Sequence, residues 1–117
     1  MSYWISLVSN TKEHYPLDDD GVHCSWNYSN LFSGLPCGYE RDWQGKMAKD
    51  LIPYVVQSLY ILEVYGLDAD LKKKYGKLIA QFQRDYGEVS TVDGAKYILK
   101  ASKDMFERHP TGIVVVE

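Results

Sequence analysis

The sequence predicts an α+β domain in which a small sheet from the N- and C-terminal strands is packed with about three helices. Three observations point there. Tyr3, Ile5 and Leu7 alternate with Trp4, Ser6 and Val8, the period of two that marks a half-buried strand. From Asp42 to Phe106 the apolar residues instead recur at helical spacing. Ile113-Val114-Val115-Val116 closes the chain as a β-branched run too short for a helix and suited to a strand beside a neighbour.

The elements follow in order. After the first strand, Asn10 to Gly21 reads as a connection, with Pro16 and Asp18-Asp19-Asp20-Gly21 as turn chemistry, because Asp hydrogen-bonds its own backbone and Gly accepts positive φ. Val22 to Trp26 resumes as a strand able to return antiparallel to the first. Ser33 to Gly38 is a second loop. Trp43, Met47, Leu51, Val55, Leu59 and Leu62 share one helical face with Asp42 as N-cap, and Pro53 predicts a break near Leu51. Gly66 ends that element and Asp68 caps the next, whose apolar face is Leu71, Tyr75, Leu78, Ile79, Phe82 and Tyr86. Its opposite face carries Lys72, Lys73, Lys74, Lys77, Gln81 and Arg84, a pattern that reads as solvated surface. Ser90 with Asp93 imitates a capping box before a third helix bearing Ala95, Ile98, Leu99, Ala101, Met105 and Phe106, which His109-Pro110-Thr111-Gly112 stops.

Length and charge bound the function. A chain of 117 residues supports one core, hence a single globular domain over 1–117. The net charge of -3, with no block of five or more like charges, lacks the field that a nucleic-acid backbone requires, so nucleic acid is not an expected partner. Met1 to Ser9 has neither a basic start nor a long apolar run, so it reads as neither signal peptide nor membrane span, and the expected compartment is cytoplasmic. In that compartment Cys24 and Cys37 are expected as free thiols, and the sequon Asn27-Tyr28-Ser29 carries no glycan.

The densest chemistry lies in His23-Cys24-Ser25-Trp26-Asn27-Tyr28-Ser29-Asn30-Leu31-Phe32. For metal, His14, His23, Cys24, Cys37 and the aspartates at 18 to 20 are the right ligand types without the paired spacing of a zinc site or the alternation of a calcium loop; no metal or cofactor is expected. Cys24 and His23, adjacent in a strand, point to opposite faces, so a thiol hydrolase would need His109 or His14. No phosphate loop, nucleophile elbow or dinucleotide fingerprint occurs. The cluster suits binding better than bond making. In one account its residues are structural, pointing into the core and bonding the backbone where the strand ends. In the other, Trp26 or Tyr28 stacks on a planar ring, Asn27 and Ser29 supply hydrogen bonds, and Arg41 with Lys46 adds cations near a helix N-terminus, which favours anions.

These residues also carry a resemblance. The chain is similar to a group of small bacteriophage and prophage proteins of unknown function whose mark is a strand ending in a segment like Asn-Ile-Thr-Tyr-Asn-Tyr-Ser-x-x-Phe, then a Gly-containing loop and x-Gly-Lys opening a helix with a central Pro. Here that segment is His23 to Phe32, followed by Trp43-Gln44-Gly45-Lys46 and Leu51-Ile52-Pro53. Thr91 to Lys96 and His109 to Gly112 resemble the group's last helix and its exit. Two features depart from the pattern: His23 stands where the group has Asn, and Leu67 to Glu88 looks like an added or lengthened helix.

The resemblance implies a phage-type accessory protein acting against host defences, in the host cytoplasm. Joined to the cluster, it gives the expectation of a non-catalytic protein that sequesters a nucleotide-like signalling molecule through Trp26, Asn27, Tyr28, Ser29, Arg41 and Lys46. A protein that blocks a host defence enzyme by surface contact is the alternative, and a small hydrolase using Cys or His the third. A homo-oligomer is expected, because an aromatic-rich small domain with an apolar C-terminal strand can pair edges or faces across a two-fold axis.

Overall fold

The computed structural model describes residues 1–17 and 21–117 and has the α+β architecture expected. In chain order the elements are β1 (Ser2–Val8), β2 (Val22–Ser25), a 3₁₀ turn (Trp26–Tyr28), α1 (Ser29–Ser33), a second 3₁₀ turn (Glu40–Trp43), α2 (Ala48–Val64), α3 (Ala69–Tyr86), α4 (Val92–Arg108) and β3 (Ile113–Val116). The expected aspartate turn at 18 to 20 lies outside the described residues.

The sheet has the order β2-β1-β3, with both pairings antiparallel. Tyr3 sits opposite Cys24 and Leu7 opposite Val114, so the first strand is central and the two later ones flank it. Tyr3, Ile5, Leu7, Val22, Cys24, Val114 and Val116 face the helices and are buried, while Trp4 and His23 stand on the outer face. Alternation therefore does what a period of two requires.

α2 packs along α4, α4 reaches β2, and α3 lies against α1. Leu51, Val55, Ser58, Ile61 and Leu62 form the buried stripe of α2, and Ala95, Ile98, Leu99, Ser102, Met105 and Phe106 that of α4. Tyr75, Ile79 and Phe82 bury α3, which Asp68 caps by accepting from the Leu71 amide at 3.0 Å, as expected.

Three expectations are corrected. Asp42 caps no long helix; it lies in the 3₁₀ turn Glu40–Trp43, and α2 starts at Ala48. Trp43 is instead a core anchor, its indole N–H donating to the Cys37 carbonyl at 2.8 Å and its ring edge-on to Phe106. The break near Leu51 is absent, because Pro53 falls only six residues into α2, where its missing N–H leaves the Lys49 carbonyl as the one backbone acceptor lost. The N-cap of α4 is Thr91, whose hydroxyl accepts from the Gly94 amide at 2.9 Å, rather than Ser90. No helix among the described residues is long and apolar enough to cross a membrane.

Candidate functional site

The site region begins where β2 ends. Ser25 is extended, and its hydroxyl accepts from the Asn27 amide at 3.2 Å, so the chain tightens into a 3₁₀ turn and runs straight into α1. Four consecutive side chains are thereby sent in four directions. Trp26 points outward, 45% exposed. Asn27 reaches across to the start of α4 and donates to the Ser90 hydroxyl at 3.1 Å. Tyr28 is buried, stacked on Phe32 at 5.9 Å and tilted against Phe82 at 5.6 Å. Its hydroxyl lies where a Cβ on Gly94 would stand, so α4 can approach only because residue 94 has no side chain. Ser29 donates to Glu40 Oε1 at 2.5 Å.

Glu40 is the functional-looking group that sequence reasoning missed. It is fully buried at the start of its 3₁₀ turn, with the Cys24 thiol 3.9 Å from Oε2 and no ion-pair partner among the described residues. Burial pushes its carboxyl above the usual range, against the downward pull of Ser29, its own backbone amide and Cys24. Tyr39-Glu40-Arg41-Asp42 reads as ordinary surface charge, and nothing in its spacing announces burial.

The two cysteines are free and buried. Desolvation, then Glu40, raises the Cys24 thiol, and desolvation pushes Cys37 up to about 12. Neither has the thiolate that nucleophilic chemistry needs at neutral pH. His23 is exposed on the opposite sheet face from Cys24, hydrogen-bonded to Ser2 and 5.9 Å from the Trp4 ring. His14 is held by the Ser9 carbonyl, and His109 forms the C-cap of α4. Among the described residues no three metal-ligating side chains come together.

Outside this buried knot lies a surface built around Tyr3. Its hydroxyl shares a 2.5 Å hydrogen bond with that of Tyr39, the Trp26 ring lies 5.6 Å away at 39°, and the Arg41 guanidinium sits 5.7 Å over its face. The shared hydrogen bond, then desolvation, holds the Tyr3 phenol up at about 12. Trp26 and Arg41, distant in sequence, are thus brought to one ring, which Arg41 holds by a cation–π contact.

Tyr39 also walls a groove of about 680 Å³, shared with Asp42, Lys46, Asp50 and Tyr54, a size that suits a small molecule. Gly45, at φ +81°, reverses the chain so that Lys46 lies beside β3. The Gly45 amide donates to the Val114 carbonyl at 2.8 Å, and the Val114 amide to that of Lys46 at 2.9 Å. One part of the anion expectation changes. The first amides of α2 are spent, Ala48 on the Gly112 carbonyl and Lys49 on that of Pro110, both at 2.8 Å, so Lys46 gains no open helix end. Of the six expected ligand contacts, Trp26 and Arg41 meet at Tyr3, Lys46 lies in the adjoining groove, and Asn27, Tyr28 and Ser29 are engaged inside the protein.

Comparison of the chain with protein-family models, with curated proteins and with solved structures finds no match.

Proposed function

We propose that this chain is a non-catalytic, phage-type accessory protein that sequesters a planar, nucleotide-like molecule and so acts against a host defence. The observation that carries the reading is the junction at Tyr39. On one side stand Trp26, Tyr3 and Arg41; on the other opens the groove bearing Lys46 and the exposed Tyr54. A ring would stack on Tyr54 or Trp26, and a phosphate would sit between Arg41 and Lys46. Asp42 and Asp50 offset those two cations, so the site favours a ligand of low net charge, such as a cyclic nucleotide or nucleoside monophosphate, over a triphosphate.

Thermal unfolding with a panel of cyclic nucleotides, monophosphates and ADP-ribose derivatives tests this. A true ligand at a hundred times its Kd stabilises the fold by about 2.7 kcal/mol, and Lys46→Ala with Tyr54→Ala removes the effect. No shift with any member sinks the proposal.

A second reading is favoured by residue type, since Trp, Tyr and Arg dominate the energetics of protein interfaces and Trp26 with Arg41 presents that combination at the surface. Here the same surface blocks a host enzyme. A stoichiometric protein partner lost on Trp26→Ala, with no co-purifying small molecule, would select this reading over sequestration.

A further inference from the structure

α2 and α3 enclose a second groove of about 340 Å³ that shares only Pro36 with the first. Its floor is aliphatic and aromatic, with Ile61 and Tyr75 buried and Leu71 half-buried, and Tyr60 stands at its edge 56% exposed. Lys74 closes the other edge, its Nζ 5.4 Å from the Tyr75 ring. Lys72, Lys73 and Lys77 lie on the same two turns of α3, all exposed. Among the described residues none of these four lysines has a carboxylate within ion-pair reach, whereas Lys96 and Lys103 on α4 both do. Asp68 is committed to the helix cap, and Asp70, three and four residues before Lys73 and Lys74, forms an ion pair with neither.

This arrangement works against its own helix. Lys73 and Lys77 are four residues apart and Lys74 and Lys77 three, so they repel, and Lys72 to Lys74 lie in the early turns where the helix dipole is already positive. An incoming anion relieves both effects. With an overall charge of -3, most of the surface does not attract acidic partners, so an edge rich in unpaired lysines stands out.

We propose that the α2–α3 groove docks an acidic segment of a partner protein that bears a leucine or aromatic anchor. The anchor enters between Tyr60 and Tyr75, and the carboxylates meet Lys73, Lys74 and Lys77. A nucleic acid would leave the aliphatic floor unused, and a basic strip that meets the groove at Lys74 alone is too confined a surface for a bilayer.

Fluorescence anisotropy with a labelled peptide of alternating Glu and Leu tests it, beside Lys-Leu and Glu-Ser counterparts. The Glu-Leu peptide binds saturably and more tightly than either counterpart. Lys74→Glu with Lys77→Glu weakens it at least about tenfold, and Tyr60→Ala by about tenfold. Lys74→Gln with Lys77→Gln, which keeps side-chain bulk without reversing charge, gives an intermediate loss, and circular dichroism shows all variants folded. Equal binding of the Lys-Leu peptide, or indifference to the lysine substitutions, overturns the proposal. Oligothymidylate or phosphatidylserine vesicles binding as tightly as the Glu-Leu peptide would also overturn it, by showing a general anion surface.

Discussion

A buried carboxyl with no ion-pair partner among the described residues adds its own pH dependence to the stability of the fold. Glu40 is held above its ordinary pKa by burial, so between the unfolded and folded values the folded state binds the extra proton. The contribution of Glu40 is therefore fully present when both states are protonated, and it is lost as pH rises through the folded pKa. Glu40→Gln, which keeps the Ser29 contact without the titration, removes that decline; the difference between the two proteins' melting temperatures should widen from pH 4 to pH 8 in favour of the variant. Tyr28 makes the complementary steric case. Adding a methyl at Gly94 drives it into the Tyr28 hydroxyl, which Phe32 and Phe82 prevent from moving aside. Gly94→Ala should cost about 1 to 3 kcal/mol in urea denaturation, and combining it with Tyr28→Phe should recover at least half. Neither role could be read from sequence. Glu40 sits among surface-like charges, and Tyr28 meets Gly94 only through a helix that begins more than sixty residues later.

Elements that carry their own period were legible, and elements set by a distant partner were not. α3 and α4 announce themselves because their apolar stripes repeat over four turns and Asp68 and His109 mark an end of each. The stretch from Glu40 to Ala48 defeats the same logic. Trp43 and Met47 fit a helical face, but Trp43 is held by the Cys37 carbonyl, and Met47 is drawn into a bridge with Ile113. The first contact reaches back across a loop and the second across most of the chain, and neither leaves a helical trace. The start of α4 was misjudged by one residue for a related reason, since Ser90 is occupied by Asn27 and leaves Thr91 to cap. Thr91→Ala should lower stability by about 1 kcal/mol, measured by denaturant titration. Of the candidate site, the cations and Trp26 were visible as types, while Tyr3, Tyr39 and Tyr54 were not distinguishable among ten tyrosines.

At the scale of the molecule, the Cα radius of gyration is 14.4 Å and the extents are 46 × 28 × 19 Å. A compact chain of this length averages about 13.4 Å, so the fold is elongated, with three strands at its flat side and long helices beneath. Of the two expected routes to a homo-oligomer, pairing at the edge of the C-terminal strand is closed, because the outer edge of β3 is taken by residues 44–48, and pairing of faces is left. Small-angle scattering should return a radius that does not grow with concentration, and growth would require copies to meet on another surface, such as the outer sheet face around Trp4. Breaking the pairing of β3 with residues 44–48 would reopen the strand route.

That covering segment also guards against aggregation. Ile113 to Val116 is uncharged, β-branched and free of proline, the composition that templates cross-β assembly when an edge is open. A single side chain closes its last donor, the Gln44 carbonyl accepting from the Val116 amide at 2.6 Å. Gln44→Ala would leave that amide free to recruit another strand, and thioflavin T fluorescence should rise sooner for the variant than for the parent under identical agitation. Gln44, which reads as an unremarkable surface amide, thus keeps a β-branched edge of the chain from seeding its own kind.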